Sequence, residues 1–149
     1  MIDIFNSTFE ISLRMLLVLK SVRIELSIDK ILSFDYLATY GKEFGVSTYN
    51  LHGENNYRFS ELSAKRNIMN AAVKDLVLKR YVIPCYSKKG FLYKISDIGI
   101  TFCDSLNDVY ATEYLSNISN VIRRFSNYTD IQLSSFIRQH AISVFGGND

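Results

Sequence analysis

A chain of 149 residues, 48% hydrophobic and 21% charged, holds enough apolar material to bury a core and does not have the composition of a disordered segment. Its formal net charge is only +2, yet the stretch from Arg58 to Lys94 carries nine basic residues against two acidic ones, which leaves the remainder at −5. No secretory leader is visible, and the apolar run Leu13 to Val22 is too short and, with Arg14, Lys20 and Ser21, too polar to span a bilayer, so a cytoplasmic protein without membrane contact is expected.

Ser7 and Glu10 have capping-box spacing, which predicts a helix starting at Ser7 with Phe9, Leu13, Leu16, Leu17 and Lys20 as its stripe. Val22 to Leu26 reads as a short extended link, in the place of a first strand. Ser27 is a cap for a second helix, with Asp29 near its positive end. Ile28, Ile31, Leu32, Tyr36 and Leu37 line one side of it, and Gly41 or Gly45 ends it. Val46 to Phe59 has little periodicity and reads as an exposed loop. A third helix, from about Ser60 to Arg80, has Leu62, Met69, Ala72, Val73, Leu76 and Val77 as its core face; Arg66, Asn70 and Lys74, spaced by four, project from the opposite side.

Tyr81 to Tyr86 and Phe91 to Ile95 flank a Lys88-Lys89-Gly90 turn and predict a β-hairpin, in which Pro84 suits an edge strand. Ser96 then caps a fourth helix carrying Ile98, Phe102, Leu106, Val109 and Tyr110. A fifth, from about Thr112 to Phe125, carries Leu115, Ile118, Ile122 and Phe125. A last one begins at Thr129 or Asp130, buries Ile131, Leu133, Phe136 and Ile137, and ends at Gly146 and Gly147. The fold class expected is mainly α with a small β-hairpin: a winged-helix domain over residues 1–96, and C-terminal helices over 97–149 packed on the same body.

The order of elements also places the basic excess on a third helix and a hairpin. Arg66, Asn70, Lys74, Lys88 and Lys89 are therefore candidates to bind nucleic acid or an acidic partner, since lysine and arginine there neutralise phosphates. Chemistry is poorly provided for. No Gly-x-Ser-x-Gly elbow accompanies the serines, Gly41-Lys42 lacks the rest of a P-loop, and His52 and His140 with Cys85 and Cys103 make no metal-ligand spacing. The two cysteines read as reduced thiols. Asp35 and Glu61 are the only candidate paired carboxylates, and a partly buried acid bonded to an Arg or a Tyr is the structural alternative. No cofactor, no metal and no catalysis by this chain are expected.

Several segments, taken in order, resemble the smaller type of middle component of bacterial ABC-three-component systems. Phe5-Asn6-Ser7-Thr8-Phe9-Glu10 with Arg14 is similar to that family's opening element. Asp35-Tyr36 matches its Asp-Tyr element, Leu51-His52 its Leu-His-Pro loop, and Arg58, Glu61 and Leu62 the entry to its third helix. Lys65-Arg66 matches its basic pair, and Lys79-Arg80-Tyr81-Val82 the exit. The chain departs from the family at Thr8 and Gly53, where proline is common, and at Tyr81, where glycine is. The resemblance implies a non-catalytic subunit joining an SMC- or Rad50-like ATPase to an effector, often a nuclease, in a Lamassu-type complex directed against phages or plasmids. Double-stranded DNA would be a further contact. Arg58, Lys65, Tyr36, Phe136 and His140 are candidates for the protein interfaces. A winged-helix transcriptional regulator, which needs a homodimer to meet two half-sites, is the alternative.

Overall fold

A computed structural model describes residues 7–53, 57 and 59–146; Asn6, Arg58 and Gly147 lie outside them. The chain is mainly helical with one antiparallel hairpin, in the order α1 (Thr8–Val22), α2 (Ile28–Thr39), a 3-10 turn (Gly41–Phe44), α3 (Leu62–Leu78), β1 (Val82–Ser87), β2 (Gly90–Ile95), α4 (Asp97–Asp104), α5 (Val109–Phe125), α6 (Asp130–Ala141) and a π turn (Ile142–Gly146).

Helix starts follow the capping residues. Ser7, Ser27, Ser96 and Asp108 each accept a hydrogen bond from the backbone three residues on, satisfying an amide that the helix itself leaves open. Thr129 forms a full capping box with Gln132. Thr8 is the first helical residue of α1, a position that suits proline because the N–H proline lacks has no partner within the helix there. Asp108 also explains a difference from the sequence reading. It opens a new helix, so Val109 and Tyr110 belong to α5 and not to the fourth helix.

The second helix is the centre of the molecule. Every residue from Ile31 to Tyr40 is buried, so α2 is enclosed on all sides and not on the single side expected. α1, α3, α5 and α6 all pack on it. α5 presents Ala111, Tyr114, Ile118, Val121 and Phe125 inward, at three- and four-residue steps. Three apolar stripes keep most of their predicted members and lose one or two to the surface. On α1 the buried set is Ile11, Arg14 and Met15 to Leu19, with Phe9 exposed. Cys103 lies inside α4 while Ile98 faces out, and Ile131 of α6 is exposed.

The link after α1 contributes less strand than expected. Arg23 takes a left-handed conformation (φ 55°), and only Leu26 bridges to Tyr93, by backbone bonds of 2.9 and 2.8 Å. The segment from Val46 onward is likewise not all exposed. Val46 and Asn50 are buried, Asn50 accepts from the Lys42 amide at 3.1 Å, and Leu51 donates its amide to Thr39 at 3.0 Å. Gly53 sits at φ +73°, a conformation closed to proline. At the exit of α3 it is Arg80, one residue before Tyr81, that takes the left-handed turn (φ 66°). Gly99 is required by contact: a Cβ on it would lie 2.4 Å from the Tyr81 carbonyl oxygen.

Candidate functional site

Most of the segments that carry the family resemblance converge on one buried cluster. Arg14 comes from α1, Asp35 from α2, Lys65 from α3 and Tyr114 from α5. Asp35 accepts from Arg14 Nε at 2.8 Å and Nη2 at 3.3 Å, from Lys65 Nζ at 3.4 Å and from the Tyr114 hydroxyl at 2.6 Å. Arg14 and Asp35 have 0% exposed side chains and Lys65 has 2%. Around them, the His52 ring meets the Tyr110 hydroxyl at 2.7 Å, Tyr110 stacks on Tyr114, and Lys65 lies 6.0 Å from the centre of the Tyr40 ring.

The electrostatics follow from burial and partners. Burial alone would favour a neutral Asp35, but Arg14 and Lys65, with the hydrogen bonds from Arg14 and Tyr114, hold its carboxyl well below the usual carboxylate range. Burial also opposes the Arg14 charge; Asp35 outweighs it and raises the guanidinium above its ordinary value. Lys65 shares that single carboxylate with Arg14, and burial lowers its ammonium in spite of Asp35. Tyr114 is pushed up by burial and then by Asp35, so its phenol stays a donor. This is a fully buried acid held ionised by two buried cations. It fastens four helices together. Asp35, the carboxylate the sequence offered for acid–base work, has the bonded, buried environment of the structural alternative. Glu61 stands one turn before Lys65 and supports that ammonium's charge.

Outside this cluster the basic excess divides. Arg66, Asn70 and Lys74 are exposed on the outer side of α3, in line over about 12 Å given 1.5 Å per residue. Arg66 is bridged to Asp29 at 2.9 Å, and Lys79 to Asp75 at 2.9 Å. Lys88 and Lys89 form the exposed hairpin turn, with Gly90 at φ +102° completing it. Beside α3, a groove of about 570 Å³ runs between α2, α3 and α6, with Leu32, Leu62 and Ile137 at its floor and Asp29, Arg66 and Arg138 among its polar lining. The helix face, the ribbon tip and the groove are open to solvent, whereas the Asp35 cluster is buried.

Two expected interface residues are corrected by burial. Tyr36 is fully buried and contacts the rings of Tyr40 and Phe44; Lys65 points inward to Asp35. Neither is on the surface to meet a partner. The cause for Lys65 is helical spacing: it lies four residues before Met69 and seven before Ala72, hence on the core side of α3. Phe136 and His140 pack on this chain's own Phe44, with His140 also 3.3 Å from Glu43, while Arg58 falls outside the described residues. Sequence reasoning passed over Tyr114 and placed Tyr110 on the fourth helix without a role in a site. Their four-residue spacing on a single α5 face was the available signal. Cys103 is buried and free, its thiol pushed up to about 11 by burial, and Cys85 is half-buried and free.

The chain is mainly helical, with charges tied up in a buried four-helix fastening and others exposed on a helix and a hairpin. The model of the ABC-three component (ABC-3C) system Middle Component 2 family matches residues 4–146, and the chain belongs to that family. No curated protein and no solved structure matches it. Among the described residues no helix is long and apolar enough to cross a membrane.

Proposed function

We propose that this chain is a non-catalytic accessory subunit that bridges an SMC- or Rad50-like ATPase and an effector, such as a nuclease, in a cytoplasmic Lamassu-type complex acting against phages or plasmids. The observation that carries this reading is membership of a middle-component family along nearly the whole chain. A second feature supports it: Asp35, the best candidate for acid–base work, is closed from solvent and spent on Arg14, Lys65 and Tyr114. In this reading residues 1–96 are a winged-helix core, with Leu26 beside Tyr93 in the place of its first strand and the hairpin as its wing. Residues 97–149 extend the same body. Arg66, Asn70, Lys74, Lys88 and Lys89 face an acidic partner surface or nucleic acid, with double-stranded DNA taken on the α3 side, and Phe136 and His140 border a protein contact near the end of α6. ATP-dependent motion in the partner would change how these rigid faces hold the effector.

The test is co-expression of the tagged chain with the genes that flank its own, followed by affinity purification and mass measurement. Co-elution of a coiled-coil ATPase and an effector in fixed ratio is expected. A free symmetric homodimer that binds one defined duplex at nanomolar concentration would instead establish a transcriptional regulator.

A further inference from the structure

The β1–β2 hairpin carries a surface that the buried fastening does not use. Side chains alternate across the ribbon, so Val82, Pro84 and Tyr86 share one face with Phe91, Tyr93 and Ile95, their partners in register. Val82 is buried at the base. Toward the tip the same face becomes exposed and aromatic: Tyr86 is 80% and Phe91 58% accessible. Their rings meet at 5.3 Å, and Phe91 stacks on Tyr93 at 6.5 Å. Three rings thus climb one face of the ribbon and end beside Lys88 and Lys89 in the turn.

The edges of the ribbon are unsuited to taking another strand. Tyr93 directs both its amide and its carbonyl to Leu26, so Pro84 opposite it belongs to a pair whose backbone groups point outward. Pro84 lacks one of the amides that would point outward on β1, which disfavours strand addition there. Leu26 occupies the corresponding place on β2. The face and tip are the parts of this element most open to contact.

Charge decides what that face fits. From Leu76 to Ser96 the chain has five basic residues and no acidic one. Among the described residues, Glu25 approaches the hairpin at Cys85, on the opposite face from the rings. Aromatic rings open to solvent and flanked by uncompensated lysines supply the two things a single-stranded nucleic acid requires, a π-surface for each unstacked base and a cation for the phosphate beside it. A duplex keeps its bases stacked and would use the lysines alone, leaving Tyr86 and Phe91 without a role.

We propose that the hairpin is a binding platform for single-stranded nucleic acid, with Tyr86 and Phe91 stacking bases and Lys88 and Lys89 holding phosphates. This inference rests on the hairpin alone and holds whether or not the chain bridges an ATPase to an effector. The test is fluorescence anisotropy of the full chain, alone and in the complex it purifies with, using labelled oligo-dT of twenty nucleotides and a mixed-sequence duplex of twenty base pairs. The oligo-dT is expected to bind more tightly than the duplex. Tyr86→Ala and Phe91→Ala should each weaken it roughly tenfold, because stacking of one base is lost. Lys88→Ala with Lys89→Ala should flatten the dependence of log K on log salt by about 1.4, at about 0.7 per phosphate released from a single strand. Phe9→Ala, which removes an exposed ring on α1, should change nothing. Duplex binding that weakens with Tyr86→Ala and Phe91→Ala as much as oligo-dT binding does overturns the proposal, as do ring variants that bind oligo-dT like the parent. Failure of both oligonucleotides to bind also overturns it, and loss of a protein partner from the same variants would then assign the face to that partner.

Discussion

The fastening at Asp35 and the basic surface of α3 and the hairpin are built from the same residue types under opposite conditions. Lys65 and Arg66 are neighbours in sequence; one is sealed against Asp35 with 2% exposure and the other stands in water beside Asp29. Inside, a charge is costly to desolvate and must be matched by a partner in good geometry, so removing one member leaves the others exposed to that cost. Outside, solvent screens each pair, and one exposed pair contributes between nothing and about 1 kcal/mol. The same residue types therefore carry fold integrity on one side of α3 and stand in solvent on the other.

The comparison breaks most sharply at Asp35. Asp35→Asn would leave Arg14 and Lys65 buried without a counter-charge, and urea unfolding should show a loss of about 3–5 kcal/mol. Tyr114→Phe removes one hydrogen bond to a charged group, for an expected loss of about 1.5–3 kcal/mol in the same measurement. Lys65→Met is the sharper probe. It removes the surplus cation from a site with two cations and one acid and keeps the volume, so a loss under about 1.5 kcal/mol, or a gain, is expected. Lys74→Ala or Lys88→Ala should leave stability within about 0.5 kcal/mol while weakening whatever the surface binds.

The cluster also fixes a pH dependence. Because the folded state holds Asp35 below its unfolded value, the unfolded chain binds more protons as pH falls, and stability must fall with it. The contribution is complete above the ordinary aspartate value near about 4 and is lost progressively below it. Asp35→Asn should remove this acid-side slope, measured as urea midpoint against pH between about 3 and 6.

Local chemistry made much of the fold legible. Ser7, Ser27, Ser96 and Thr129 mark helix starts by cap spacing, and the Lys88-Lys89-Gly90 turn marks the hairpin. What remained hidden depends on partners distant in the chain. Arg14 lies on the buried side of α1 because a carboxylate 21 residues away receives it, and Tyr114 reaches that same acid across 79 residues. Such pairs have no periodic signature. The α1 stripe shows one consequence: an apolar count favours Phe9, whereas the structure exposes it and buries Ile11, Arg14 and Met15. Lys65 could have been read inward from its spacing to Met69, had its charge not suggested the surface.

One measurement bears most directly on the claim that the segments identifying this family meet in a structural fastening: urea unfolding of Asp35→Asn beside the parent chain at neutral pH. A midpoint lowered by the equivalent of about 3–5 kcal/mol is predicted. An Asp35→Asn chain as stable as the parent would contradict it and return Asp35 to the list of groups kept for chemistry.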